Sequence, residues 1–251
     1  MYDEIRRDRS WLSISLPLHH PSTFEYSLYD KVLDEYILAE LVHRAITKFC
    51  PGEPVHMAGY SVGGFAAMNY AAKYPGQVRS IISIGGFLTG RAQGIEGVLQ
   101  FLAKGTFLRK AVFYVAYRGM QLHRFFFKLA TMAYARKWRE LLAYPALDPT
   151  IKDIFPDVRR HSVRGQRAWF SYLLDMNLLD ELTAIKHPTL VIAGDADPII
   201  PYAHQAEVAS LLPNGRLLRL RGVGHVAFAE AAAEFKAAVL KHLSQFDEDL
   251  V

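Results

Sequence analysis

The sequence Gly59-Tyr60-Ser61-Val62-Gly63 stands between an apolar run and an alanine-rich one. It fits the pattern G-x-S-x-G, which alone is common by chance, so its flanks carry the weight. Upstream, Val55-His56-Met57-Ala58-Gly59 follows Pro54 and reads as a short strand. Downstream, Phe65 to Lys73 is alanine-rich and reads as a helix stopped by Tyr74-Pro75-Gly76. A serine between such a strand and such a helix sits in a tight, strained elbow. Small residues two places before and two after it, Gly59 and Gly63, are expected to relieve clashes there. The hydroxyl then stands above the sheet, with Tyr60 beside it. The N–H of Val62, at the helix N-terminus, is expected to face a developing oxyanion.

On either side of this stretch, short apolar strands alternate with helices. Trp11 to Leu16 alternates like a strand, and Leu33, Tyr36, Ile37, Leu41, Ala45 and Phe49 recur at helical spacing. Val78 to Ile84, Thr189 to Ala193 and Arg216 to Leu220 read as further strands, and Phe228 to Leu243 as a closing amphipathic helix. The pattern predicts an α/β fold: a mostly parallel sheet covered on both faces. The middle breaks it. Residues 88–182 read as a helical, basic and aromatic cap inserted between a first core part, 1–87, and a second, 183–251.

A serine hydroxyl needs a base, and the base needs an orienting carboxylate. Gly194-Asp195-Ala196-Asp197-Pro198 follows one strand, and Gly222-Val223-Gly224-His225 follows the next. Both lie at strand C-termini, on the rim that carries Ser61. Either Asp195 or Asp197 suits the position by location alone.

With that chain order, Ser…Asp…His, the sequence resembles the α/β-hydrolase superfamily in its capped branch. The resemblance implies a triad of Ser61 nucleophile, Asp197 acid and His225 base. Gly194, Asp197 and Pro201 match the family pattern G-x-x-D-x-x-x-P, which favours Asp197 over Asp195. The stretch Ser15-Leu16-Pro17-Leu18-His19-His20-Pro21-Ser22 is similar to the family's Asp-Leu-x-Gly-x-Gly-x-Ser segment after its fourth strand. Ser15 stands in place of the Asp, and Leu18 and His20 in place of glycines. Trp11 to Leu16 would then be the fourth strand, and the chain is expected to be N-terminally truncated relative to the family. The loop after the family's third strand supplies a second oxyanion N–H, so activity is expected to suffer. The strand Trp11 to Leu16 must pair directly with the elbow strand, or the elbow strand is a bare edge. Three readings stay open: a fragment, a rearranged active hydrolase with His19 or His20 near the oxyanion, and a silent interaction protein.

Composition bounds the rest. The chain has 251 residues, 51% hydrophobic and 22% charged, enough to bury a full core. One cysteine, Cys50, cannot form an internal disulfide and is expected to be a small buried hydrophobe in a reducing compartment. There is no secretory signal and no 18-residue apolar run, so a cytoplasmic protein, at most peripheral to a membrane, is expected. No zinc-spaced His/Cys set and no phosphate-binding glycine loop is present, so no metal or organic cofactor is implied.

Net charge is +4, but residues 101–140 hold nine Lys or Arg against Glu140 alone. Lys110, Tyr114, Arg118, Gln121, Arg124 and Lys128 would line one polar helix stripe, unless Gly119 interrupts it. Leu108, Val112, Val115, Leu122, Phe125 and Leu129 would line the other face. The plain reading is an amphipathic helix with solvated charges; the sharper one is an element that meets an anionic membrane or headgroup. No nucleic-acid module is recognisable. An aromatic lid over a serine elbow suits a small hydrophobic acyl or aryl substrate, such as a carboxylic ester, a thioester or a lactone.

Overall fold

The computed structural model describes residues 9–22 and 33–247. Its centre is a four-stranded, all-parallel sheet in the order β1 (Val55–Tyr60), β2 (Val78–Ile84), β3 (Thr189–Gly194), β4 (Gly215–Leu220). The register sets Met57 opposite Ile81, Ile82 opposite Leu190, and Val191 opposite Leu217. Side chains alternate across the sheet as the pleat requires. Ile81 and Val191 join an apolar cluster on one face, while Ile82, Ile84, Leu190 and Ile192 join another on the opposite face.

Helices cover both faces. On the first lie α1 (Glu35–Phe49) and α2 (Val62–Lys73), which bury Leu38, Val42, Phe65 and Met68. A fully buried Phe65 alone removes enough apolar surface to contribute roughly 2–3 kcal/mol. Asp34 caps α1 by accepting from Ile37 N at 2.7 Å.

The connection between β2 and β3 carries α3 (Gly94–Ala103), α4 (Phe107–Leu122), α5 (Arg124–Met132), α6 (Trp138–Ala143), α7 (Leu147–Arg160) and α8 (Val163–Leu173). Phe113, Tyr117 and Trp169 from this segment share one cluster with Phe65 and Phe87 of the sheet region. After β3 comes α9 (Tyr202–Leu211), packed on β3 and β4. The closing helix is divided: α10 (Ala227–Glu230) and α11 (Ala232–Asp247) are separated by Ala231, whose φ of −140° is not helical. The α11 residues Phe235, Val239 and Leu243 seal the second face.

Three expectations need correction. Trp11 to Leu16 is not a strand; it pairs with nothing in the sheet, Trp11 is exposed, and only Ile14 and Leu16 rest against the core. Among the described residues β1 therefore pairs with β2 alone, the bare-edge alternative. Cys50 is half-buried at the end of α1 rather than fully inside.

The third concerns the basic stripe. It does not run along one helix; α4 ends at Leu122, and His123 Nδ1 caps α5 by accepting from Phe125 N at 3.2 Å. Lys110, Tyr114, Arg118 and Arg124 are exposed as expected, but the expected apolar face is not the buried one. Gln121, expected on the polar face, is buried and donates to Val158 O (2.7 Å) and His161 O (3.0 Å). Leu108, Val112, Val115, Leu122, Phe125 and Leu129 are exposed instead. The bulkier Phe113 and Tyr117, four apart, take the inward side together with Gln121.

Candidate active site

In a parallel sheet every strand delivers its C-terminal end to the same rim. Ser61 follows β1, Asp197 lies just beyond β3, and His225 lies beyond β4, so the topology alone gathers them.

The elbow is strained as its sequence requires. Ser61 has φ 53° and ψ −118°, an uncommon conformation for a side-chain-bearing residue. Its N–H is held by Ile84 O at 2.7 Å, and its hydroxyl makes no capping bond to α2. Gly59 is forced, because a Cβ there would lie 2.0 Å from Gly63 O. Gly63 is not forced in the same way; a Cβ on it would meet open space. The clash the pattern avoids is thus between the side chain at 59 and the backbone at 63. Val62 opens α2, where helix geometry supplies no acceptor for the N–H.

Asp197 and His225 are brought together: Nδ1 of His225 lies 2.7 Å from Oδ2 of Asp197, and both side chains are buried. Asp197 is further fixed by Ile199 N and Ile200 N donating to Oδ1 at 2.8 and 3.0 Å, and by Gln205 Nε2 donating to Oδ2 at 2.8 Å. With Nδ1–H given to the carboxylate, Nε2 is the basic nitrogen. That Nε2 is buried and has no hydrogen-bond partner among the described residues. Ser61 Oγ is therefore placed on the rim but not hydrogen-bonded to it; such contacts commonly tighten only with substrate bound.

Asp195 does something else. It accepts from Gly222 N at 2.6 Å and from Arg219 Nε at 3.0 Å. The Gly222 amide and the Arg219 guanidinium hold its carboxyl below the usual range. It ties the β3 turn to the β4 turn and does not touch His225.

Rings enclose the base. Tyr60 lies 5.0 Å from the His225 ring and Tyr134, from the inserted segment, 5.9 Å. Tyr134 O accepts from His225 N at 2.8 Å, and its hydroxyl donates to Glu96. Burial pushes the Glu96 carboxyl up from its ordinary value, while the Tyr134 hydroxyl pulls it down.

Two residues that position the site were not legible in sequence. Gln205 is one, in the second turn of α9. Glu230 is the other: its buried carboxylate accepts from Gly224 N (3.0 Å), Val226 N (3.2 Å), Arg136 N (2.8 Å) and Lys137 N (2.7 Å). It grips both neighbours of His225 and joins them to the inserted helices. The only available signal was an acid five places after the histidine, and its partners are backbone groups that no side-chain pattern encodes.

His19 and His20 face other residues. His19 packs edge-on to His161 and Trp169 at 5.3 and 5.1 Å, and its Nδ1 sits 2.9 Å from Pro17 O. His20 Nδ1 lies 3.0 Å from Asp157 Oδ1. Leu18, standing where the family segment has glycine, adopts φ 66° and is buried, with its carbonyl taken by Gln166 Nε2 at 2.8 Å. His204, on the rim, accepts from Leu88 N at 3.1 Å.

Comparison with known proteins agrees with the fold. A family model described as alpha/beta hydrolase fold matches residues 19–232. Lipase 1 of Psychrobacter immobilis is 26% identical over 186 residues, covering 72% of this chain and 52% of that protein. A 2-hydroxy-6-oxononadienedioate/2-hydroxy-6-oxononatrienedioate hydrolase of Burkholderia vietnamiensis is 26% identical over 202 residues, 75% of this chain and 62% of that one. The chain thus spans about half to three-fifths of the length of these curated relatives. Among solved structures, an esterase from Rhodococcus sp. superposes with a TM-score of 0.70 at 19% identity, covering 98% of this chain and 84% of the other, which speaks to the fold.

Proposed function

The chain belongs to the α/β-hydrolase fold family, and on that premise we propose that it is a serine hydrolase cleaving a hydrophobic carboxylic ester through an acyl-enzyme. A thioester or a lactone would fit the same chemistry. The observation that carries the reading is the buried Asp197–His225 pair, 2.7 Å apart, on the rim that holds the strained Ser61.

In this reading His225 Nε2 takes the proton from Ser61 Oγ as the oxygen attacks the substrate carbonyl. Asp197 keeps Nδ1 protonated and steadies the imidazolium that forms. Val62 N–H, at the positive end of α2, stabilises the oxyanion. Collapse of the tetrahedral intermediate returns the proton from Nε2 to the leaving alcohol. A water deprotonated by the same nitrogen then releases the acid. A site relying on Val62 alone, rather than on two donors, would turn over roughly 100- to 1000-fold more slowly. The inserted helices act as a cap in this reading, and Tyr60 and Tyr134 give the pocket an apolar wall suited to an acyl or aryl group.

The experiment is hydrolysis of p-nitrophenyl esters of increasing acyl length by the purified chain, with Ser61→Ala as control. Turnover that disappears in the variant supports the reading, and the best acyl length sizes the pocket. Equal turnover by both proteins overturns it.

A further inference from the structure

Helix α4 is apolar on two opposite sides. One side, Phe113–Tyr117–Gln121, is buried against α7 and α8. The other carries Leu108, Val112, Val115, Gly119 and Leu122, spaced 4, 3, 4 and 3 residues apart. At about 100° per residue the two stripes lie roughly 180° apart, so the second points into solvent. Leu108 is 72% exposed, Val115 70% and Leu122 72%; Phe107, at the start of the helix, is 88% exposed.

The stripe continues onto α5. Leu122, Phe126 and Leu129 line one open groove of about 340 Å³ together with Ala116, Gly119 and Met120. Phe125 stands beside Phe126 with ring centres 5.6 Å apart, and it too is exposed. An isolated surface leucine is ordinary, but a contiguous apolar band of this kind marks an interaction site.

Charge says what it meets. Residues 101–140 net +8. Arg109 and Arg118 sit on either side of the α4 stripe, Arg109 stacked 3.9 Å over the Phe101 ring and Arg118 bonded to Gln121 Oε1 at 3.2 Å. Arg124 opens α5 next to Phe125. Carboxylates take Lys104 (Asp175) and Lys128 (Asp148), so Arg109, Arg118 and Arg124 are the cations that border the stripe. An apolar band bordered by arginines is the pattern of a helix lying in a membrane interface: side chains enter the acyl region and guanidinium groups reach the phosphates. A second copy of the chain on this face would bring Arg109, Arg118 and Arg124 against their own copies, so like charge disfavours self-docking. Among the described residues no helix is long and apolar enough to cross a membrane.

We propose that the α4–α5 face docks this protein onto the surface of an anionic lipid bilayer, with the Leu108–Leu122 stripe and Phe125–Phe126 inserted and Arg109, Arg118 and Arg124 on the headgroups. This is independent of the chemistry at Ser61. The test is co-sedimentation of the full chain with phosphatidylcholine vesicles, with and without phosphatidylglycerol, at low and high salt. The expected result is pelleting with the anionic vesicles only, diminished by salt. Arg109→Gln/Arg118→Gln weakens partitioning roughly fivefold per charge removed. Val115→Ser/Leu122→Ser weakens it as well, and circular dichroism checks that both variants keep the native fold. Failure to pellet with anionic vesicles overturns the proposal, as does partitioning that neither double variant alters. A dimer that Val115→Ser/Leu122→Ser converts to monomer overturns it in favour of a second copy.

Discussion

His225 and Asp197 meet through a 2.7 Å contact between Nδ1 and Oδ2, with both side chains closed off from solvent. That contact sets the tautomer of the imidazole and leaves Nε2 as its basic end. In the proposed mechanism, Asp197→Asn replaces an acceptor with an amide that can turn its donor toward Nδ1. Esterase kcat should then fall on the order of 10⁴-fold with the fold intact, checked by steady-state kinetics and a melting curve.

The neighbouring acid gives the contrast. Asp195 binds Arg219 and Gly222 N at an exposed turn. Asp195→Asn should leave kcat/KM within about threefold of the parent, since an exposed pair of this kind is worth little. A loss matching that of Asp197→Asn would reverse the assignment of the two acids.

At the elbow, Gly59→Ala should be costly and Gly63→Ala should not. The first puts a methyl 2.0 Å from Gly63 O, and the second puts it in open space. Thermal unfolding should show a loss of more than about 2 kcal/mol for Gly59→Ala. For Gly63→Ala the change should stay within about 1 kcal/mol of zero, because alanine suits a helix better than glycine.

Removing the Glu230 carboxylate should strand four backbone N–H groups around His225 and residues 136–137. Glu230→Ala should lower stability by roughly 3 kcal/mol or more, at about 1–3 kcal/mol per buried donor left unmet. Turnover should fall with it, measured at a temperature where circular dichroism shows the variant still folded.

Acid should destabilise the sheet's lower end. Burial, then Arg216 and His56, pushes His242 down to about 4 from an ordinary 6.5. His242 Nε2 lies 3.0 Å from Ser80 Oγ, and His56 Nδ1 lies 2.8 Å from the same oxygen. Because the folded value lies below the unfolded one, the unfolded chain binds the extra proton. The stabilising contribution is whole above pH 6.5 and is lost as pH falls toward 4. His161, lowered to about 4 by burial and by His19 and His20, acts in the same direction. The melting temperature should drop across that interval, and His242→Gln should flatten the slope. A slope unchanged in the variant would remove His242 from the account.

The sequence disclosed the sheet because buried parallel strands are continuous apolar runs. Val78 to Ile84 was bounded correctly for that reason, and the other three strands within a residue or so. Trp11 to Leu16 misled because alternation describes a strand's faces but supplies no neighbour to pair with. The faces of α4 misled for a related reason. Period 3.6 finds apolar stripes, and where a helix has two, only the packing of Phe113 and Tyr117 decides which turns inward. The rim positions of Ser61, Asp197 and His225 were readable because each follows a strand. Gln205 and Glu230 were not, since one acts across a turn of α9 and the other on main-chain groups 93 and 94 residues away.

The Glu230 clasp also bears on how such a molecule can diversify. Two of its four donors come from Arg136 and Lys137, inside the segment between β2 and β3. A different helical segment grafted into that connection would have to present two amides at the same spot, or leave the loop around His225 half-anchored. The β2–β3 connection and the loop carrying the histidine are therefore tied to one another through one carboxylate, and neither can be exchanged without regard to the other.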